Sequence, residues 1–86
     1  MFSVALDNLL SKISAKLSKG VTPDQALDGA YQVADVIIRG GTANDAEIHL
    51  IVEYALKHGI VKCEDISSEL KEASGLCNHG AACYGM

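Results

Sequence analysis

Glycines set the frame of this chain. Gly20, Gly40-Gly41, Gly59 and Gly75 each follow a stretch in which apolar residues recur at helical spacing. Three of these glycine positions are followed at once by an apolar residue: Val21, Ile60 and Leu76. A glycine just past a helix adopts the left-handed conformation without a Cβ penalty, and the next apolar side chain then folds back on the last turn. Four such stops in 86 residues leave room only for short helices joined by short connections. The expected fold class is therefore all-α: a small antiparallel bundle of three long helices and one short C-terminal helix.

The first helix is expected over about residues 3–19. At ~100° per residue, Phe2, Leu6, Leu9, Leu10, Ile13 and Leu17 share one face. Its Ser- and Lys-bearing polar side gives it some likeness to a targeting or membrane-surface helix. It lacks Arg, carries Asp7 and runs on into further helical pattern, so it is read as a core helix. The second helix is expected over about 23–39. Thr22-Pro23-Asp24-Gln25 is a start signal, with Thr22 and Gln25 able to cap one another and Pro23 at the first helical position. Leu27, Ala30, Tyr31, Ala34, Ile37 and Ile38 are expected to form its buried face.

The third helix is expected from about 43–45 to His58, capped by Thr42 or Asn44. Ile48, Ile51, Val52, Ala55 and Leu56 make its main apolar face, and Leu50 and Tyr54 lie off it. Such a helix is apolar on more than one side, which places it in the middle of a bundle or at an interface. The fourth helix is expected over about 64–74, carrying Ile66, Leu70 and Ala73. Residues 1–75 then form one helical domain, and residues 76–86 an irregular Gly/Ala/Cys tail.

Charge and cysteine usage narrow the function classes. The net charge is −4. Residues 1–22 carry three lysines against one aspartate, whereas residues 23–86 carry four basic against ten acidic side chains. That larger segment has the wrong sign for releasing counterions from phosphate, so no nucleic acid is expected as a partner. No apolar run approaches the length of a bilayer span, so no membrane is expected either. Three cysteines are an odd number, and no signal-peptide pattern is read ahead of them. A reducing, cytoplasmic setting is the expectation.

Two groups of residues stand out as candidate sites. In the tail, Cys77, His79 and Cys83 are soft or borderline metal ligands within seven residues. Cys63, or His58, would complete a tetrahedral zinc site. The spacing is not a familiar one. Competing readings are thiols that cover the end of the bundle, a Cys77–Cys83 disulfide, or a loosely ordered tail. The terminal Cys83-Tyr84-Gly85-Met86 has the bare form of a prenylation signal, but its middle residues are not aliphatic and no polybasic run precedes it. Along the third helix Asp45, His49, Glu53 and Lys57 recur every four residues and read as a solvated face with a Glu53–Lys57 pair.

The second group is a candidate partner-binding surface. Leu50 and Tyr54, with Val33 and Val36 on the flank of the second helix, are more apolar surface than a small monomer readily hides. Asp24, Asp28 and Asp35 form an acidic row on the same helix. No nucleophile–base set, phosphate loop or HExxH motif is present, so an enzyme is not expected. The expected function is binding to another protein as a small regulator, adaptor or inhibitor, of a kind that phages and mobile elements encode. A homodimer is the simplest way to cover the surplus. The alternatives are a metal- or thiol-dependent module built on Cys77, His79 and Cys83, or a precursor whose helical leader precedes a modified tail.

Overall fold

A computed structural model describes residues 3–77. Phe2 and residues 78–86, with His79 and Cys83 among them, lie outside that range. Among the described residues the fold is all-α. It comprises α1 (Ser3–Leu17), α2 (Pro23–Leu27), α3 (Ala30–Ile38), α4 (Asp45–Lys57), a 3-10 turn (Cys63–Asp65) and α5 (Ser68–Ser74). α1 packs on α3, α3 on α4, α4 on α5, and α5 on α1. These four helices thus form a closed circuit around one core. α2 is attached to α3 outside it.

Local chemistry fixes most helix ends. Thr22 accepts a hydrogen bond from the Gln25 amide and Gln25 accepts one from the Thr22 amide, so α2 opens with a reciprocal box. Asn44 and Glu47 repeat it at the start of α4. α4 closes with a paired stop: the Ile60 amide donates to the Ala55 carbonyl at 2.9 Å, and the Gly59 amide to that of Leu56. Gly40 and Gly41 close α3 in the same way, onto Ile37 and Val36.

The second expected helix is two helices. Gly29 has φ +102°, in the left-handed region, and breaks the run between Leu27 and Ala30. An L side chain there would be strained, and a Cβ would stand 2.9 Å from Leu50 Cδ1. The break frees α3 from the phase of α2. α3 turns Ala30, Val33 and Val36 inward, small or short side chains that let α1 and α4 come close. Leu27, Tyr31 and Ile38, expected inside, are 85%, 67% and 82% exposed.

The remaining core follows the expected pattern more closely. Leu6, Leu9, Leu10 and Ile13 of α1 are buried, as are Ile48, Ile51, Val52 and Ala55 of α4. Tyr54 is also buried, at 1% exposure, so α4 is covered on both its apolar sides. The fourth expected helix begins later than its periodicity suggested. Ile66 is extended (φ −88°, ψ 127°), and Ser67 caps α5 by accepting from the Leu70 amide. Ile66 and Leu70 still reach the core, and Leu76 and Cys77 pack against it.

Candidate functional site

A polar cluster lies at the surface where two helix ends meet. Asp28 follows the last residue of α2, and His58 follows the last residue of α4. Lys57 Nζ donates to Asp28 Oδ1 at 2.8 Å, and His58 Nε2 donates to Asp28 Oδ2 at 2.8 Å. A carboxylate at a helix C-terminus is opposed by that helix's own carbonyls, whereas cationic groups there are favoured. Lys57 and His58 stand at the C-terminal end of α4 and meet both requirements at once. The Lys57 hydrogen bond, and after it that of His58, hold the Asp28 carboxyl below the ordinary carboxylate range in spite of its partial burial. The same contact raises the Lys57 ammonium.

Tyr54 lies beneath this cluster, one turn before His58, with ring centroids 4.7 Å apart. Its hydroxyl is buried and has no hydrogen-bond partner among the described residues. Burial, and then the charge of Asp28, push the Tyr54 hydroxyl above its ordinary pKa. Two shallow clefts flank the cluster. One, of about 420 Å³, runs between the α2–α3 junction and α4 and includes Gly29, Gln32, Leu50 and Tyr54 in its lining. The other, of about 400 Å³, is lined by Asp24, Leu27, Asp28, Lys57 and His58. Leu27 borders both.

Beside the clefts lies the outer face of α3. Tyr31 and Ile38 are seven residues apart, hence on the same side of that helix. Asp24 and Asp35 are exposed around this surface. Arg39 is held at the end of α3 by Asp35 (3.1 Å) and by Glu47 of α4. The Glu47 hydrogen bond is the main cause of the raised Arg39 pKa, and the Arg39 hydrogen bond of the lowered Glu47 pKa.

The expected partner-binding residues are thus redistributed. Val33, Val36 and Tyr54 are in the core and form no outer surface, because the closed circuit of helices covers α4 and the inner side of α3. Leu50 is half-buried and packs against Gly29. Of the acidic row, Asp24 is exposed, Asp35 pairs with Arg39, and Asp28 anchors α2 to α4. Lys57 turns to Asp28, not to Glu53. His49, read as part of a solvated stripe, donates from Nδ1 to the Ser74 carbonyl at 2.6 Å, at the C-terminal end of α5.

The expected metal ligands are also rearranged. Cys63 and Cys77 are joined in a disulfide, with Cα atoms 5.5 Å apart. Cys77 therefore pairs with Cys63, not with Cys83, because the turn before α5 and the residues after it come together. As a disulfide the pair offers no thiolate to zinc. His79 and Cys83 lie outside the described residues, and among the described residues no cluster of three metal-ligating side chains occurs.

Leu27 and Tyr31 are exposed where the sequence pattern placed them inside, and Gly29, which breaks that helix, is the residue the pattern gave no role. The signal for Gly29 was present, since a glycine inside a helical pattern costs ~1 kcal/mol relative to alanine and invites a break. No known protein family, curated protein or solved structure matches this chain.

Proposed function

We propose that this domain is a protein-binding module, a small regulator, adaptor or inhibitor, that docks through the outer face of α2 and α3. One observation carries the reading. Leu27, Tyr31 and Ile38 remain 85%, 67% and 82% exposed beside a core that is already filled. Large apolar side chains exposed to this degree on neighbouring helices are what a docking face would supply. On this surface Asp28 is paired with Lys57 and His58 and Asp35 with Arg39, while Asp24 stays exposed, so the complementary partner proposed is an apolar segment carrying a Lys or Arg opposite Asp24.

Among the described residues no helix is long and apolar enough to cross a membrane. A cytoplasmic setting belongs to the same proposal, and the Cys63–Cys77 disulfide would then be exposed to cellular reductant.

Calorimetric titration tests the reading with two designed amphipathic helical peptides, one of Leu and Lys and one of Leu and Glu. The basic peptide binds at low salt and the acidic one does not. Tyr31→Ser with Ile38→Ser weakens binding about tenfold or more and leaves the helical circular dichroism intact. Equal behaviour of the two peptides, or no effect of the paired substitution, overturns the proposal. A dimer seen by light scattering that the same substitutions dissolve would assign the face to a second copy and overturn the basic-partner assignment.

A further inference from the structure

We propose that the Cys63–Cys77 pair is a reversible redox site whose reduction lets α5 open from the domain while α1, α3 and α4 stay folded. This goes beyond the docking face, which lies on α2 and α3.

The topology carries the inference. Cys63 opens the turn before α5, and Cys77 is the third residue after that helix, 14 positions later. The disulfide therefore closes a covalent ring of which α5 is one side. α5 has seven residues, far too few to persist as a helix by itself in water. Apart from the ring it is held by burial of Ile66, Leu70 and Ser74, by Ala73, Leu76 and Cys77 packed against the core, and by the His49–Ser74 hydrogen bond. On the α1 side the packing leaves a cleft of about 170 Å³, bordered by Leu9, Val61, Ile66 and Leu70. α5 is the last described helix along the chain and packs mainly on α4 and α1, so it can leave as a unit without parting α1, α3 and α4 from one another. Both cysteines are half-buried rather than sealed, which leaves an attacking thiol a route to the sulfurs. In a compartment kept reduced, protein disulfides are mostly transient and redox-responsive.

The reductant is a dithiol. One of its thiolates attacks a sulfur of the pair, the S–S bond breaks, and the other cysteine leaves as a thiolate that takes a proton. The second thiol of the reductant then displaces the mixed disulfide. The products are the cyclic disulfide of the reductant and two cysteine thiols, so two electrons and two protons pass to the protein. A small oxidised disulfide reverses the sequence.

The test uses the full chain carrying Cys83→Ser, so that one pair remains. It is compared after oxidation by glutathione disulfide and after reduction by dithiothreitol. Alkylation and intact mass report the pair, and hydrogen exchange with mass spectrometry reports each helix. Oxidised protein has both cysteines blocked. On reduction, amides of residues 66–76 exchange about tenfold faster or more, and outpace those of α1 and α4 in the same sample by a similar factor. Reoxidation restores them. The further variant Cys63→Ser with Cys77→Ser stays helical, matches the reduced protein and ignores dithiothreitol. The proposal is overturned if the pair does not form, if α5 exchange is unchanged on reduction, if α5 and α4 exchange in step as one unit, or if the cysteine-free variant unfolds.

Discussion

Asp28 shows how one side chain links two elements that local sequence leaves separate. Its carboxylate accepts from Lys57 and His58, 29 and 30 positions away. Its pKa is lowered in the folded state, so the unfolded chain takes up the proton first as pH falls. Its contribution is thus present above the ordinary carboxylate pKa of about 4 and is lost as pH drops below that value. Glu47, lowered by Arg39, adds to the same trend. Melting temperature should fall between pH 5 and pH 2 by less in Asp28→Asn than in the unaltered protein; an identical slope would remove Asp28 from the account. Tyr54 offers a second check. Its hydroxyl is buried without a partner, and such a group costs about 1–3 kcal/mol. Tyr54→Phe should hold or raise stability by about 1 kcal/mol in urea unfolding. A loss of that size would mean the hydroxyl is bonded in solution. Gly29→Ala should do the reverse, costing about 1–2 kcal/mol for the left-handed backbone alone. Leu50→Ala in the same chain relieves the 2.9 Å contact but not that backbone cost, so the double variant should be less destabilised than the two single costs combined.

Among the elements, equal caps have unequal consequences. Thr22 and Asn44 form the same reciprocal box. α4 carries five buried residues, and α2 carries none. Asn44→Ala should therefore lower global stability by about 1 kcal/mol. Thr22→Ala should change the urea midpoint far less and show itself as faster amide exchange confined to α2. Comparable midpoint shifts would mean that α2 is part of the cooperative core. The elements also show what a reader of the sequence can and cannot see. The cap at Thr22, the choice of Thr42 or Asn44 as the cap of α4, the stops at Gly40 and Gly59, and the inner face of α1 follow from interactions within a few residues of one another. They were legible for that reason. The inner face of α3 was not. Ala-Tyr-Gln-Val-Ala-Asp-Val-Ile-Ile is apolar on most of its circumference, so periodicity leaves its orientation open.

For the molecule as a whole, the closed circuit α1–α3–α4–α5 decides that orientation. Val36 sits at 1% exposure among these helices and Ile38 at 82% outside them. Val36→Ala should cost about 2 kcal/mol, from lost transfer energy and the cavity left behind. Ile38→Ser should stay within about 0.5 kcal/mol of the parent, and a larger loss would place Ile38 in the core after all. The candidate site has the same origin. Asp28, Lys57 and His58, like Cys63 and Cys77, are brought together by how helices are stacked, and nothing in their spacing announces it. By itself the sequence determined the helical class, the main stops and the polarity of the best amphipathic segment, because those depend on backbone sterics and on neighbours one turn away. Only the tertiary structure decided which side of α3 meets solvent, which cysteines pair and what Asp28 holds. Each of those depends on distances between segments, which the packing of the whole core sets.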